Sequence, residues 1–375
     1  MVRDNAGNLY GTTGVGGSGN CSGGTGCGTA FKLDKTGKQI WLHKFNGRDG
    51  AIPYAGLLRG AAGNLFGTTL EGGDLNCTPP YGCGTAFKLD KTGQNESVLH
   101  KFTGSPDGWN PEALLVGDED GNVYGTTYEG GADNWGTVFK VGPAGRETIL
   151  HTFNGPPEGG DGAGPYASVI RDDVGNLYGV TFAGGAYGAG AVYEVTRGGE
   201  EMLLYSFSGA DGAQPDSVLL LDSSGNLYGT TENGGNDQCG GTGCGVVFRL
   251  SPQAGGGWTE SVLYAFCSLT GCTDGESPLA GPLVMDAAGN LYGTTIFGGA
   301  HRNCNGDGCG VVFKLDPGGN ETVLHSFTGS TDGALPWAGV VRDAAGNLYG
   351  TTLNGGDLKC LPKYGGCGVV FKIAL

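Results

Sequence analysis

Apolar and polar residues alternate along this chain in short runs that glycine-rich turns separate. A period of two over four to eight residues is typical of half-buried β-strands, and the runs show no helical period. In one unit of about 55 residues, this pattern therefore predicts four antiparallel strands, which we name A to D in chain order. In the second copy of this unit they are Tyr54–Arg59, Leu65–Thr69, Gly84–Asp90 and Ser97–Phe102.

The same unit recurs seven times, marked by the phrase Gly-Asn-Leu-Tyr-Gly-Thr-Thr. Four copies are intact (Gly7–Thr13, Gly225–Thr231, Gly289–Thr295, Gly346–Thr352) and three differ at one residue (Gly63–Thr69, Gly121–Thr127, Gly175–Thr181). Such repetition indicates one supersecondary unit copied in an array. We predict an all-β, seven-bladed β-propeller of antiparallel four-stranded blades, one domain over residues 1–375, with repeats at roughly 1–53, 54–111, 112–165, 166–215, 216–278, 279–336 and 337–375.

The two ends of the chain fall inside repeats. The sequence begins with a stub of strand A, Met1–Asp4, and ends on strand C, Gly368–Ile373, so that only six D strands are present. We expect a three-stranded last blade. We also expect that the natural N-terminus was lost by truncation, and that residues upstream of Met1 would supply the missing outer strand.

The charge balance argues against two classes of partner. The formal net charge is −16, and the 21 basic residues are scattered. Binding to nucleic acid or to an anionic membrane surface requires clustered Lys and Arg. No apolar run is long enough to span a bilayer. We therefore expect that the protein binds no nucleic acid and does not insert into a membrane. We also expect it to be a monomer.

Twelve cysteines form six close pairs along the chain. The pairs are Cys21/Cys27, Cys77/Cys83, Cys239/Cys244, Cys267/Cys272, Cys304/Cys309 and Cys360/Cys367. An even count at short spacing predicts disulfides made in an oxidising compartment. The alternative, a metal site, needs four ligands, and each loop offers two. We predict an extracellular or cell-surface protein, although the chain carries no signal peptide.

The repeat resembles a known bacterial family. Its cycle reads D-x-x-G-N-L-Y-G-T-T-x-x-G-G, then G-x-V-F-K-L, L-H-x-F-x-G and D-G-x-x-P, and covers essentially the whole chain. It is similar to the GloVer tandem repeat of choice-of-anchor proteins. The resemblance implies an exported or surface β-propeller of undefined biochemical role, and it brings no catalytic residues. Members typically end in an anchoring tail, which Phe371–Leu375 does not provide.

One slot of strand D and one acidic loop position recur in the repeat. The slot holds His43, His100, His151 and His325, but Tyr205 and Tyr264 in two other blades. Because tyrosine replaces histidine there, we interpret the slot as packing between blades. The recurrent aspartates of the Asp-Gly-x-x-Pro loops favour turn geometry. We therefore predict no catalytic residue, no metal and no cofactor.

The position after the proline of that loop varies while its surroundings stay constant. It reads Tyr54, Glu112, Tyr166, Asp216, Leu279 and Trp337. If strand A is innermost, these side chains lie at the mouth of a central channel, where Trp109 and Trp135 extend the surface. We predict a ligand site there for a carbohydrate or a peptide. The alternative is ordinary variable surface.

Three functions remain open on the sequence. The first is an extracytoplasmic binding or scaffold module, which we favour because no unique catalytic motif breaks the repetition. The second is a lyase or glycan-active hydrolase that uses acids such as Glu112 and Asp216. The third is a purely structural protein of the cell envelope.

Overall fold

The computed structural model describes residues 1–17, 19–21, 24–156, 160–278, 281–304, 306–360 and 365–375. The chain divides into two compact units, Met1–Gly184 with Tyr193–Met202, and Gly185–Val192 with Leu203–Leu375. Both are built from antiparallel sheets, with one main sheet for each repeat. The fold class is the all-β, seven-bladed β-propeller that the repeat count predicts.

The first unit holds blades 1 to 3 and most of blade 4. Blade 1 is β1 (Val2–Arg3), β2 (Leu9–Thr13), β3 (Thr29–Leu33) and β4 (Gln39–Lys44); blade 2 is β5 (Leu58–Arg59), β6 (Leu65–Thr69), β7 (Thr85–Leu89) and β8 (Glu96–Lys101). Blade 3 is β10 (Val116–Gly117), β11 (Val123–Thr127), β13 (Thr137–Val141) and β14 (Glu147–Thr152). A small ribbon accompanies blade 3, formed by β9 (Gly108–Trp109) and β12 (Glu129–Gly130).

Blade 4 comprises β15 (Ile170–Arg171), β16 (Leu177–Thr181), β17 (Ala191–Val195) and β18 (Glu201–Ser206), and the boundary of the units divides the last two strands. In the second unit, blade 5 is β19 (Ala213–Pro215), β20 (Leu220–Leu221), β21 (Leu227–Asn233), β22 (Val246–Pro252) and β23 (Trp258–Ala265). Blade 6 is β24 (Val284–Met285), β25 (Leu291–Thr295), β26 (Val311–Leu315) and β27 (Glu321–Ser326); blade 7 is β28 (Val341–Arg342), β29 (Leu348–Thr351) and β30 (Val370–Ile373). Short 3-10 turns lie at Cys239–Gly241 and Thr270–Cys272.

The three-stranded last blade is confirmed, with order β28-β29-β30. Strand A is much shorter than the alternating run predicts. In blade 2, only Leu58 and Arg59 of the run from Tyr54 pair with strand B, opposite Phe66 and Leu65. The residues before Leu58 follow a loop path, which keeps the variable position outside the sheet.

The A–B turn is stabilised by its aspartate. Asp286 accepts hydrogen bonds from the backbone N–H groups of Ala288 and Asn290, and from the side chains of Asn290 and Tyr292. Although partial burial opposes it, this hydrogen bonding lowers the pKa of Asp286 to about 2. Gly289 takes a φ of 81°, the left-handed conformation that closes the turn.

An aromatic pair packs each blade against the next within the described residues of both units. The last phenylalanine of each D strand makes an edge contact with an aromatic ring of the following C strand, at centroid distances of 5.0–5.2 Å: Phe45–Phe87, Phe102–Phe139, Phe153–Tyr193, Phe207–Phe248, Phe266–Phe313 and Phe327–Phe371. The glycine of each B strand makes room for the ring. A Cβ on Gly67 would lie 2.7 Å from the Phe87 ring.

All six predicted disulfides are present: Cys21–Cys27, Cys77–Cys83, Cys239–Cys244, Cys267–Cys272, Cys304–Cys309 and Cys360–Cys367. They are typical of an oxidising environment. Blades 3 and 4 carry no cysteine, and their B–C loops are the short ones. Within the described ranges, no helix has the length and apolarity to cross a membrane.

Candidate functional site

The predicted ligand residues fall into different surroundings. Tyr54 and Trp337 are exposed, at 54% and 37% of their surface. Asp216 is half-buried just before strand β20. Leu279 lies outside the described residues. The remaining three, Trp109, Glu112 and Tyr166, belong to one region of the first unit.

An aromatic stack forms the centre of that region. The Tyr166 ring lies on the Tyr128 ring at 4.0 Å between centroids and 22° between planes. The edge of Phe182 approaches Tyr166 at 5.4 Å. Gly164 permits this packing, since a Cβ there would lie 2.6 Å from the Tyr128 ring.

A cavity of about 330 Å³ opens beside the stack. We call it the aromatic pocket. Its lining includes Tyr128, Glu129, Asn134, Trp135, Gly164 and Phe182. Trp135 is 41% exposed, so one wall presents a large ring to solvent. A concave site with aromatic walls and a few polar groups is typical of small-molecule recognition.

The pocket is held by local backbone bonds. Strand β12 pairs with β9 through Glu129 and Trp109, and the Asn134 side chain accepts a hydrogen bond from the Gly130 N–H at 3.1 Å. Gly164 N–H donates to the Trp135 carbonyl at 2.9 Å. These bonds fix the short B–C loop of blade 3 without a disulfide. The wall that carries Trp135 is therefore formed before any ligand binds.

Two of the carboxyl groups at or beside the pocket have a raised pKa. Burial, together with the charge of Glu129, raises the pKa of Glu112 to about 7. Burial also raises the pKa of Glu129 itself. Near neutral pH, the Glu112 carboxyl is therefore partly protonated.

Among the pocket residues that the sequence analysis did not identify, two are aromatic. Tyr128 and Phe182 occupy the position directly after the Gly-Thr-Thr or Gly-Val-Thr of strand B. In the other repeats that position holds Gly14, Leu70, Glu232, Ile296 or Leu353, so it varies as the position after proline does. Two aromatic residues in successive repeats at this position are the signal that was available.

A second polar cluster lies where adjacent blades meet, and we call it the junction cluster. At the junction of blades 2 and 3, His100 Nε2 lies 3.2 Å from Asp107 Oδ2 and 3.7 Å from Glu147 Oε2. Asp107 also accepts the Thr103 N–H at 2.9 Å, so it secures its loop. The His100 ring packs on Phe102 of the same strand at 4.9 Å between centroids, and its Nε2 also hydrogen-bonds Asp107.

The glutamate of the junction cluster was also missed in the sequence. It lies at or near the start of strand D in the pattern Glu-x-x-Leu followed by His or Tyr, as at Glu96, Glu147, Glu201, Glu260 and Glu321. Burial and the neighbouring Asp107 charge raise the pKa of Glu147 to about 8, against the opposing effect of His100. Burial likewise raises the pKa of Glu201 to about 6 and that of Glu260 to about 7.

The blades and the loop-borne pocket define a β-propeller repeat protein. Its repeats match the family model described as the Gloeobacter/Verrucomicrobia repeat over residues 1–242 and 238–375. The chain therefore belongs to the Gloeobacter/Verrucomicrobia repeat family. This confirms the resemblance of the repeat cycle. Among curated proteins, no relative matched this chain.

Several solved structures share the fold at low sequence identity. A candidate 6-phosphogluconolactonase from Bacteroides uniformis is 14% identical, with a TM-score of 0.55 over 92% of this chain and 88% of that one. One from Bacteroides fragilis is 19% identical, with a TM-score of 0.53 over 92% and 87%. An oligogalacturonate lyase from Vibrio parahaemolyticus is 11% identical, with a TM-score of 0.51 over 92% and 82%. These likenesses show the fold alone.

Proposed function

We propose that this protein is an extracytoplasmic binding module whose ligand occupies the aromatic pocket. The stack of Tyr128 on Tyr166, next to the exposed Trp135, carries the proposal. Loops on a rigid β-scaffold are the usual place for a binding site. The six disulfides support a location in an oxidising compartment.

A carbohydrate fits the chemistry of the pocket better than a peptide. The apolar face of a sugar ring packs on an aromatic ring such as Trp135, while Glu129 and Asn134 offer hydrogen-bonding groups to hydroxyls. A net charge of −16 disfavours anionic ligands. We therefore expect a neutral or amino sugar, and we keep a peptide as the other outcome of the test.

The experiment is a glycan and peptide array screened with the purified protein, its disulfides intact. Trp135→Ala removes the exposed wall of the pocket. Trp337→Ala is the matched control, because Trp337 is similarly exposed and lies outside the pocket lining. We expect a glycan hit that weakens at least tenfold in Trp135→Ala and is unchanged in Trp337→Ala, with both variants as well folded by circular dichroism.

Other outcomes separate the alternatives. A peptide hit that depends on Trp135 would keep the pocket and change the ligand class. Binding that depends on Trp337 instead would move the site to the position after the proline of blade 7. No binding at all by the folded protein would contradict the proposal and favour a structural envelope protein.

An enzyme is the second candidate, and the carboxyl pair at the pocket is the observation that favours it. The pKa of Glu112, about 7, suits a general acid or base beside Glu129. The test is release of new reducing or unsaturated ends from any glycan that binds. Turnover that is lost in Glu112→Gln while binding persists would establish catalysis; absence of turnover in the wild type would exclude it for that glycan.

A further inference from the structure

The junction cluster occurs in three equivalent copies in the first unit. Each joins a histidine and an aspartate of one blade to a glutamate on the outer strand of the next blade: His43, Asp49 and Glu96; His100, Asp107 and Glu147; His151, Asp161 and Glu201. In each copy, one ligand atom of every side chain lies within 4.8 Å of the others.

The geometry of the central copy is that of a metal-ligand set. A tetrahedral zinc ion with bonds of about 2.0–2.1 Å has ligand atoms about 3.3 Å apart. The His100 Nε2 to Asp107 Oδ2 distance is 3.2 Å and the His100 Nε2 to Glu147 Oε2 distance is 3.7 Å. Both distances lie within a few tenths of an ångström of this value, and the ligand atoms of Asp107 and Glu147 lie within 4.8 Å of each other. One imidazole and two carboxylates form a donor set that zinc accepts.

Two further features of the clusters bear on ion binding. The Oε1 atom is buried without a hydrogen-bond partner among the described residues in Glu96, Glu147 and Glu201, as it is in Glu260 and Glu321 of the second unit, so both kinds of junction share this feature. The clusters are also accessible, since His100 and Asp107 keep 19% and 13% of their side-chain surface.

We propose that the three junction clusters of the first unit bind divalent transition-metal ions of the zinc class, one ion between each pair of adjacent blades. Each ion joins the D–A loop of one blade to strand D of the next. The site has three protein ligands and leaves a fourth position to water, so binding is exchangeable. Metal at these positions stabilises the packing of neighbouring blades by mass action.

The second unit provides natural controls for the proposed metal sites. In the second unit, Tyr205 and Tyr264 occupy the histidine slot, and Tyr264 donates to Asp274 at 2.8 Å. A neutral phenol is a poor zinc ligand, but it preserves the hydrogen bond to the aspartate. His325 lies 3.3 Å from Asp332, and no described glutamate completes a third ligand there.

The experiment measures zinc stoichiometry by equilibrium dialysis and elemental analysis, on metal-stripped protein without reductant so that all cysteines stay in disulfides. We expect about three ions per chain for the wild type, since three clusters are present. His100→Tyr and, independently, Glu147→Gln should each remove one ion. The triple variant His43→Tyr, His100→Tyr, His151→Tyr should bind none.

His325→Tyr is the matched control, because it changes the same slot of the repeat without touching a complete cluster. It should leave the stoichiometry unchanged. Zinc should also raise the melting temperature of the wild type and not that of the triple variant. A folded wild type that binds no zinc, or a triple variant that binds as much as the wild type, would overturn the proposal.

Discussion

Three junctions of the first unit and two of the second carry different rings at the same position of the repeat, histidine in the first unit and tyrosine in the second. We call them His junctions (at His43, His100 and His151) and Tyr junctions (at Tyr205 and Tyr264). In both, the slot ring packs on the phenylalanine two residues later, at 4.7–4.9 Å for histidine and 5.2 Å for tyrosine. In both, the ring faces the loop aspartate.

The difference shows which property of the slot is essential. A ring and a hydrogen-bond donor are common to the two kinds of junction, so these are the two properties that the position retains. Among the described residues of these junctions, the three-ligand set of the proposed metal site is present only where the position holds a histidine. The protonation chemistry also differs. Burial and the hydrogen bond to Asp274 raise the pKa of the Tyr264 phenol, so it remains a neutral donor at every physiological pH.

Removal of the shared phenylalanine should have the largest effect and should not distinguish the junctions. Phe102 of a His junction and Phe266 of a Tyr junction are both fully buried. We expect Phe102→Ala and Phe266→Ala to lower the free energy of unfolding by about 3–5 kcal/mol each. Chemical denaturation of the two variants measures this. A much larger loss of unfolding free energy at one junction would show that the phenylalanine does not pack equivalently in the two kinds of junction.

Removal of the loop aspartate should cost less, again at both junctions. Asp274 accepts the Tyr264 hydroxyl and the Ser268 N–H, both at 2.8 Å, and its surface is fully buried. Asp107 accepts the equivalent pair of bonds at its His junction. We expect Asp274→Ala and Asp107→Ala to cost about 2–3 kcal/mol each, because the donors lose a charged acceptor.

The control for this pair is a turn aspartate outside the junctions. Asp343→Ala removes the equivalent cap of an exposed A–B turn and should cost less than either junction variant. Equal losses for all three would show that the junction aspartates act only as turn caps. Their contact with the next blade would then contribute nothing measurable.

The repeated parts of this molecule were predictable from the sequence, and the parts made by tertiary neighbours were not. Seven copies of one phrase predict blades, and the strand B bounds Leu65–Thr69 are matched by β6. The partner of His100 was not visible, because Glu147 lies on the next blade, 47 positions along the chain. Because Glu147 occupies a fixed position in the repeat, the sequence indicates a structural role for it. The sequence does not show which residue it contacts.

The aromatic pocket was half predictable for the same reason. Tyr166 stands at a position that varies between repeats, which points to the surface and to ligand contact. Tyr128 precedes it by 38 positions, and only the packing of blade 3 on blade 4 stacks the two rings. Sequence reasoning identifies variable positions, whereas a pocket depends on which of them come together.

A smaller effect concerns the glutamate of a Tyr junction and pH. Burial and the Asp274 charge raise the pKa of Glu321 to about 7, from an ordinary value near 4.5. The stability contributed by this protonation is fully present below about pH 4.5 and is lost as pH rises through about 7. Between pH 5 and pH 8 in the presence of a chelator, the melting temperature of the wild type should therefore fall.

Glu321→Gln isolates this contribution, because the amide stays neutral throughout the range. Its melting temperature should fall less than that of the wild type between pH 5 and pH 8. Glu119→Gln is the control, as Glu119 is an exposed glutamate outside the junctions and should leave the wild-type slope unchanged. Parallel curves for Glu321→Gln and the wild type would show that Glu321 does not titrate in this window.

The smallest expected change in stability comes from converting one kind of junction into the other. Tyr264→His retains a ring on Phe266 and a donor facing Asp274, so we expect a loss of about 1 kcal/mol or less. The same change places an imidazole beside Asp274 and Glu321, which recreates the donor set of a His junction. Zinc stoichiometry should then rise by one ion. If the variant folds normally and the stoichiometry stays at the wild-type value, the two kinds of junction differ in more than the ring in the slot.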